Sequence, residues 1–175
     1  CHLCESIHLP SWHFQHRGVR YGYRRPNIPV KTAALSLFRW HNETINIWSH
    51  YIAVVLISLY FYFKTDNLTL LSRGDWLDNT VILTNVLFAN VMPMVTSALC
   101  HHFYCTSRSW HSSCWFVDFT GILTGMYFGG IGFVYFAFYC HRNWAFAYLA
   151  FLTGLFVLAY QWCWQKYHKR VVKEP

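Results

Sequence analysis

The chain has 175 residues, of which 55% are hydrophobic, 21% aromatic and only 12% charged, with a formal net charge of +7. Soluble domains carry about 25% charged residues, so this composition argues against a water-soluble domain and for a membrane protein. The positive charge follows the topology set out below, and no nucleic-acid partner is expected.

Residues 1–44 read as a cytosolic N-terminal segment. Pro10, Pro26 and Pro29 interrupt any helix over residues 1–30, which are expected to be extended or irregular. The segment is polar and basic, unlike a secretory signal. The chain begins at Cys1 without Met, so a fragment is expected. Cys1-x-x-Cys4 with His8 resembles half a zinc site but lacks a second pair, and is read as coincidence. A short amphipathic helix is predicted over 31–41. Ala34, Leu35, Leu37 and Phe38 form its apolar side, and Lys31 and Arg39 reach up to the interface. Asn42-Glu43-Thr44 makes a turn or cap before the first span.

Four apolar runs are long enough to cross a bilayer, which takes about 20 residues: Ile45–Phe63, Thr80–His102, Trp115–Cys140 and Trp144–Gln165. None shows the polar face that a helix of a soluble bundle keeps. Trp48, Trp76, Trp110, Trp115, Trp144, Trp162 and Trp164 cluster at the run ends as an aromatic belt. Residues 166–175 form a basic tail or loop. With four spans, 11 Lys and Arg fall on the side of the N-terminal segment and 3 on the other, which puts that segment in the cytosol. Asn67-Leu68-Thr69 is a sequon on the non-cytosolic side, close to the membrane. Asn42-Glu43-Thr44 is one on the cytosolic side and stays bare. Seven cysteines, mostly in or beside the spans, imply no disulfide framework.

The second span carries Asn85, Asn90 and Pro93. The Pro is expected to kink the helix, and both Asn side chains to bond to other helices. The third span has Gly121, Gly125 and Gly129 at intervals of four, a flat face for close approach of another helix backbone. Asp118 is the only charge in that third run. An ionisable group at membrane depth marks a functional site by default. His101 and His102 close the second run, and Ser97 lies about 6 Å along the axis from His101 on the same helix face. Spans two and three are antiparallel, so His101 and Asp118 are expected at matching depth, each near its helix end. Their chemistry stays open between two readings. One is a metal ligand beside a carboxylate that binds the metal or orients a water; the other is a structural His–Asp hydrogen bond. One His and one Asp do not complete a zinc site, which takes three protein ligands in its catalytic form. His50 is read as an interfacial or helix-packing residue. His102 points about 100° away from His101, and geometry alone does not choose between them.

Ser97-Ala98-Leu99-Cys100-His101, Tyr104-Cys105 and Asp118-Phe119-Thr120-Gly121 stand in a familiar order. So do Leu37-Phe38-Arg39, Glu43-Thr44-Ile45-Asn46-Ile47-Trp48-Ser49-His50 and, upstream, Gly22-Tyr23-Arg24. On these motifs nearly the whole chain resembles the progestin and adipoQ receptor (PAQR) family. The resemblance implies an all-α membrane protein: four helices of a seven-helix bundle with a cytosolic N-terminus. It implies zinc as cofactor, with His101 as the first of three ligating histidines. It also implies Asp118 and Ser97 as catalytic residues, Asp118 holding the zinc-bound water and Ser97 belonging to the same polar cluster. The other two histidines would form a His-x-x-x-His on the seventh helix, beyond these residues, so this chain alone would be inactive.

Two functions follow from the resemblance. One is a signalling receptor for a lipid or steroid ligand, with zinc-dependent hydrolysis of a ceramide-type amide. The other is a Golgi scaffold that tethers a cytosolic kinase through its N-terminal segment. Asn42-Glu43-Thr44 with Trp48-Ser49-His50, and Tyr139-Cys140 with Asn143-Trp144, look more like the family's Golgi-resident Raf-tethering subgroup than the adiponectin receptors. Multi-pass insertion in the Golgi or plasma membrane is expected. A proton or ion relay through Asp118 and His101 is the third and weakest reading.

Overall fold

A computed structural model describes residues 3–13, 16–66 and 75–173. Cys1, the Asn67 sequon and Arg73 lie outside them. Among the described residues the fold is almost entirely helical, with four helical rods long and apolar enough to cross a membrane.

The N-terminal segment folds onto one end of these rods. Strands β1 (Leu3–Cys4) and β2 (Tyr23–Arg24) pair antiparallel, Leu3 opposite Arg24 and Cys4 opposite Tyr23. So short a pair is not stable by itself. It is held because Tyr23 and Arg24 are buried against the helices. Gly22 precedes them at φ +86°, a left-handed conformation glycine adopts without a Cβ clash, and its carbonyl accepts from Asn42 N at 2.8 Å.

Helix α1 (Val30–Leu35) continues into a single 3-10 turn, Ser36–Phe38. The predicted helix to His41 stops here because Arg39 is extended. The Thr44 hydroxyl fixes the turn that follows: it accepts from His41 N at 2.8 Å and donates to Arg39 O at 3.1 Å. Phe38 and Trp40 stand 77% and 80% exposed beside the first span.

Helix α2 (Thr44–Asp66) is the first rod. The second is built from α3 (Trp76–Thr84), a π-helical stretch (Asn85–Val91) and α4 (Met92–Phe103). Pro93 has no N–H to give Ala89 O and its ring crowds that carbonyl. The wider π turns lie immediately upstream, where the expected kink would fall. The third rod is α5 (Arg108–Ala137) and the fourth α6 (Arg142–Lys173). Helix α5 starts seven residues before its apolar run. Ser107 caps it by accepting from Trp110 N at 3.1 Å, and its first turns are polar. Asp118 therefore sits in the third turn of its helix, not at its end.

Helix α5 is central: α4 and the π stretch pack on one side, α6 on the other, and α2 packs on α4. The glycine face makes the first of these interfaces. A Cβ on Gly121 would fall 2.5 Å from Thr96 Oγ1, and one on Gly125 would fall 2.8 Å from Pro93 Cγ and 3.2 Å from Ala89 O. Asn85 lies against Gly132 and donates to Phe128 O at 3.0 Å across the helices. Asn90 does not cross, contrary to expectation: it donates to Asn85 O on its own rod at 3.1 Å. Met126, Phe133, Phe146 and Leu158 point outward, as side chains in lipid do.

Candidate functional site

The site lies where the N-terminal segment meets α2, α4 and α5. Its centre is Glu43, the residue just before α2, which is fully buried. A buried carboxylate is tolerable only when hydrogen-bonded or paired, and Glu43 is served on both oxygens. Oε1 accepts from Asn42 Nδ2 at 3.0 Å and Tyr104 Oη at 3.4 Å, and faces His16 Nε2 at 2.8 Å. Oε2 accepts from Asn46 Nδ2 at 3.0 Å and faces His101 Nδ1 at 3.1 Å. Burial pushes the carboxyl up. The hydrogen bonds from His101, Asn46 and His16 outweigh it and bring its pKa down to about 2.

An ionised Glu43 can only accept, so His101 Nδ1 carries the hydrogen and its other nitrogen is turned outward. That nitrogen, Nε2, faces Asp118 Oδ2 at 3.6 Å, too far for a hydrogen bond. Asp118 Oδ1 is buried with no hydrogen-bond partner among the described residues. Ser97 is buried one turn before His101 on the same helix. Of the three residues singled out from the sequence, His101 and Asp118 thus face each other. The gap opens into a cavity of about 250 Å³ lined by His101, Asp118, Tyr104, His111 and Trp115, with Cys100 and Cys114.

The N-terminal segment roofs this cavity. The His13 ring meets Tyr104 edge-on with centroids 5.2 Å apart, and Trp12 meets His111 at 5.7 Å. Arg24, only 2% exposed, caps the end of α4. Its guanidinium donates to the carbonyls of His102 (2.6 Å) and His101 and to Ser36 Oγ (3.1 Å), and it lies over the Tyr104 ring, 5.3 Å from the centroid. A cation on the last carbonyls of a helix offsets its dipole. One of the two carbonyls it holds is that of His101 itself.

The other histidines have separate roles. His102 bridges Tyr51 Oη (3.2 Å from Nδ1) and Ala34 O (3.2 Å from Nε2), so it packs α1 and α2 onto α4 and is no ligand. His50 Nδ1 lies 2.7 Å from Asn46 O on its own helix.

A family model described as haemolysin-III related matches residues 38–174. Human progestin and adipoQ receptor family member 3 is 31% identical over 145 residues, which is 79% of this chain and 44% of the relative. The chain belongs to the haemolysin-III-related family, among the progestin and adipoQ receptors. Membrane progestin receptor alpha from Cynoscion nebulosus is 28% identical over 152 residues, covering 81% of this chain and 42% of the receptor. A rice heptahelical transmembrane protein, ADIPOR1, is 43% identical over 56 residues, 32% of this chain and 15% of that protein. The chain spans less than half the length of the curated relatives it matches.

Reading this PAQR chain from its residues missed Glu43 as a site residue and Arg24 as the helix cap. One signal pointed at Glu43: a carboxylate at the start of an apolar run, on the side otherwise rich in Lys and Arg. Among the described residues no group of three or more His, Cys, Asp and Glu side chains is arranged to hold a metal ion.

Proposed function

We propose that this chain forms one wall of an intramembrane zinc site in a receptor for a lipid or steroid ligand, with hydrolysis of a ceramide-type amide as its chemistry. The observation that carries the reading is the outward-facing His101 Nε2, backed by Glu43 and confronted at 3.6 Å by a carboxylate with an orphaned buried oxygen. A neutral imidazole oriented by a carboxylate on its other nitrogen is how metal-ligating histidines are held. Two acceptors facing each other across a gap suit a cation between or beside them. His101 would ligate through Nε2, and further ligands would come from outside the described residues.

Zinc, when bound, would supply Lewis-acid polarisation of the amide carbonyl. Asp118 would accept the proton of an attacking water on its unpartnered oxygen and pass it to the leaving amine. Ser97 would hold the other side of that carboxylate. Tyr104, Trp115 and His111 would wall the cavity against bulk water. The test is metal content of the full-length protein: His101→Ala is expected to lose most bound zinc, and unchanged zinc would sink the assignment.

A second reading is favoured by the folded N-terminal segment. This is a non-catalytic Golgi or plasma-membrane scaffold whose basic segment docks a cytosolic signalling protein. Ile7, Val19 and Tyr21 stand exposed on it, beside Arg17 and Arg20. Asp118→Asn separates the two: it should abolish hydrolysis and leave partner capture intact.

A further inference from the structure

We propose that Cys100 and Cys114 form a redox-sensitive dithiol that closes to a disulfide across α4 and α5 when a peroxide enters the His101 cavity. Cys100 is on α4, one residue before His101; Cys114 is on α5, one turn before Asp118. Both are buried in one core cluster, and both line the cavity. Neither thiol is oxidised in the structure. Cysteines on two packed helices that share a buried cluster and a cavity wall are the pair that a disulfide, with its S–S bond of about 2.05 Å, would join. The cavity gives a small oxidant the path that a packed core denies.

The chemistry balances with the peroxide alone. One thiol sulfur attacks the O–O bond, becoming a sulfenic acid and releasing one water; the second thiol attacks that sulfur, forms the S–S bond and releases another. The pair loses two electrons and two protons, and the peroxide is reduced to two waters. A disulfide on the reducing side of a membrane is a transient, sensing one. Here it would bridge the two helices that carry His101 and Asp118, immediately beside those residues. The inference holds whether or not a metal binds.

The experiment titrates the full-length protein in membranes with hydrogen peroxide, followed by alkylation and peptide mass mapping. The expected result is a cross-linked pair of peptides, lighter by two hydrogens and containing Cys100 and Cys114. It should appear at peroxide levels below those that oxidise exposed Cys140 and reverse with a reductant. Cys105→Ala should keep the bridge and Cys114→Ala should lose it. The unaltered protein decides the matter if either variant fails to fold. Two results overturn the inference: both thiols remain alkylatable when Cys140 is already oxidised, or Cys114 pairs with Cys105 instead.

Discussion

At each end of the helix hairpin a carboxylate sits under neutral donors, and the two ends differ in how deeply that carboxylate is committed. At the N-terminal end Glu43 is fully buried, with five polar partners drawn from the N-terminal segment, α2, α4 and the turn that follows α4. At the opposite end Asp78 is half-buried and takes Tyr135 Oη at 2.6 Å and Tyr139 Oη at 3.4 Å. The first organises a site; the second pins a helix end near solvent. The same functional group is a hub in one place and a tether in the other, because only burial makes every partner obligatory.

Breaking the two carboxylates should separate them most. Glu43→Ala leaves the His101 and His16 rings and the Asn42 and Asn46 amides without their acceptor. Truncating one member of a buried charged network costs about 3–5 kcal/mol. Asp78→Asn keeps an acceptor for Tyr135 and should cost no more than about 0.5–1.5 kcal/mol, one net hydrogen bond. Unfolding in detergent, followed by tryptophan fluorescence, measures both. Equal losses would mean that Glu43 is no more a hub than Asp78.

The next contrast is between the packed and open faces of the glycines. Gly125 lies against Pro93 and Ala89, whereas a Cβ on Gly154 in α6 would meet nothing within 4 Å. Gly125→Leu should destabilise by about 1–3 kcal/mol through overpacking. Gly154→Leu should leave the midpoint of the same unfolding curve where it is. A large effect at Gly154 would show that the open face of α6 is occupied in the membrane.

What could be read along the chain was what repeats along a single helix. The four spans follow from run length, the α4–α5 interface from Gly121, Gly125 and Gly129, and the facing of His101 and Asp118 from antiparallel depth. Glu43 and Arg24 stayed hidden because their partners are remote: His101 is 58 residues from Glu43, and the His102 carbonyl 78 from Arg24. No periodicity encodes such pairs. The start of α5 was missed for another reason. Its polar first turns, from Arg108 to Ser113, carry no hydropathy signal, and only the Ser107 cap marks them. The π stretch was invisible too, since Pro93 announces a disturbance of the helix but not whether it kinks or widens.

The smallest expected effect concerns acid, and it sharpens the difference between the ends by acting through the N-terminal one. His41 sits beside Glu43, accepting from Glu43 N at 3.1 Å through Nδ1. Burial holds its imidazole neutral, the Arg24 charge adds to this, and its pKa falls to about 4. The unfolded chain takes up that proton near pH 6.5, before the folded one does. Stability should therefore decline as pH falls from about 6.5 to about 4. Glu43 acts lower on the scale. Its folded pKa near 2 lies below the ordinary 4.5, so its contribution is complete above about 4.5 and is lost as pH drops toward 2. Acid unfolding should thus proceed over two successive windows. His41→Asn, which keeps an acceptor for Glu43 N and removes the titrating ring, should flatten the upper window and leave the lower one. If the melting temperature of this variant still falls between pH 6.5 and 4 as steeply as that of the unaltered protein, His41 is not the group that couples acid to the N-terminal clamp.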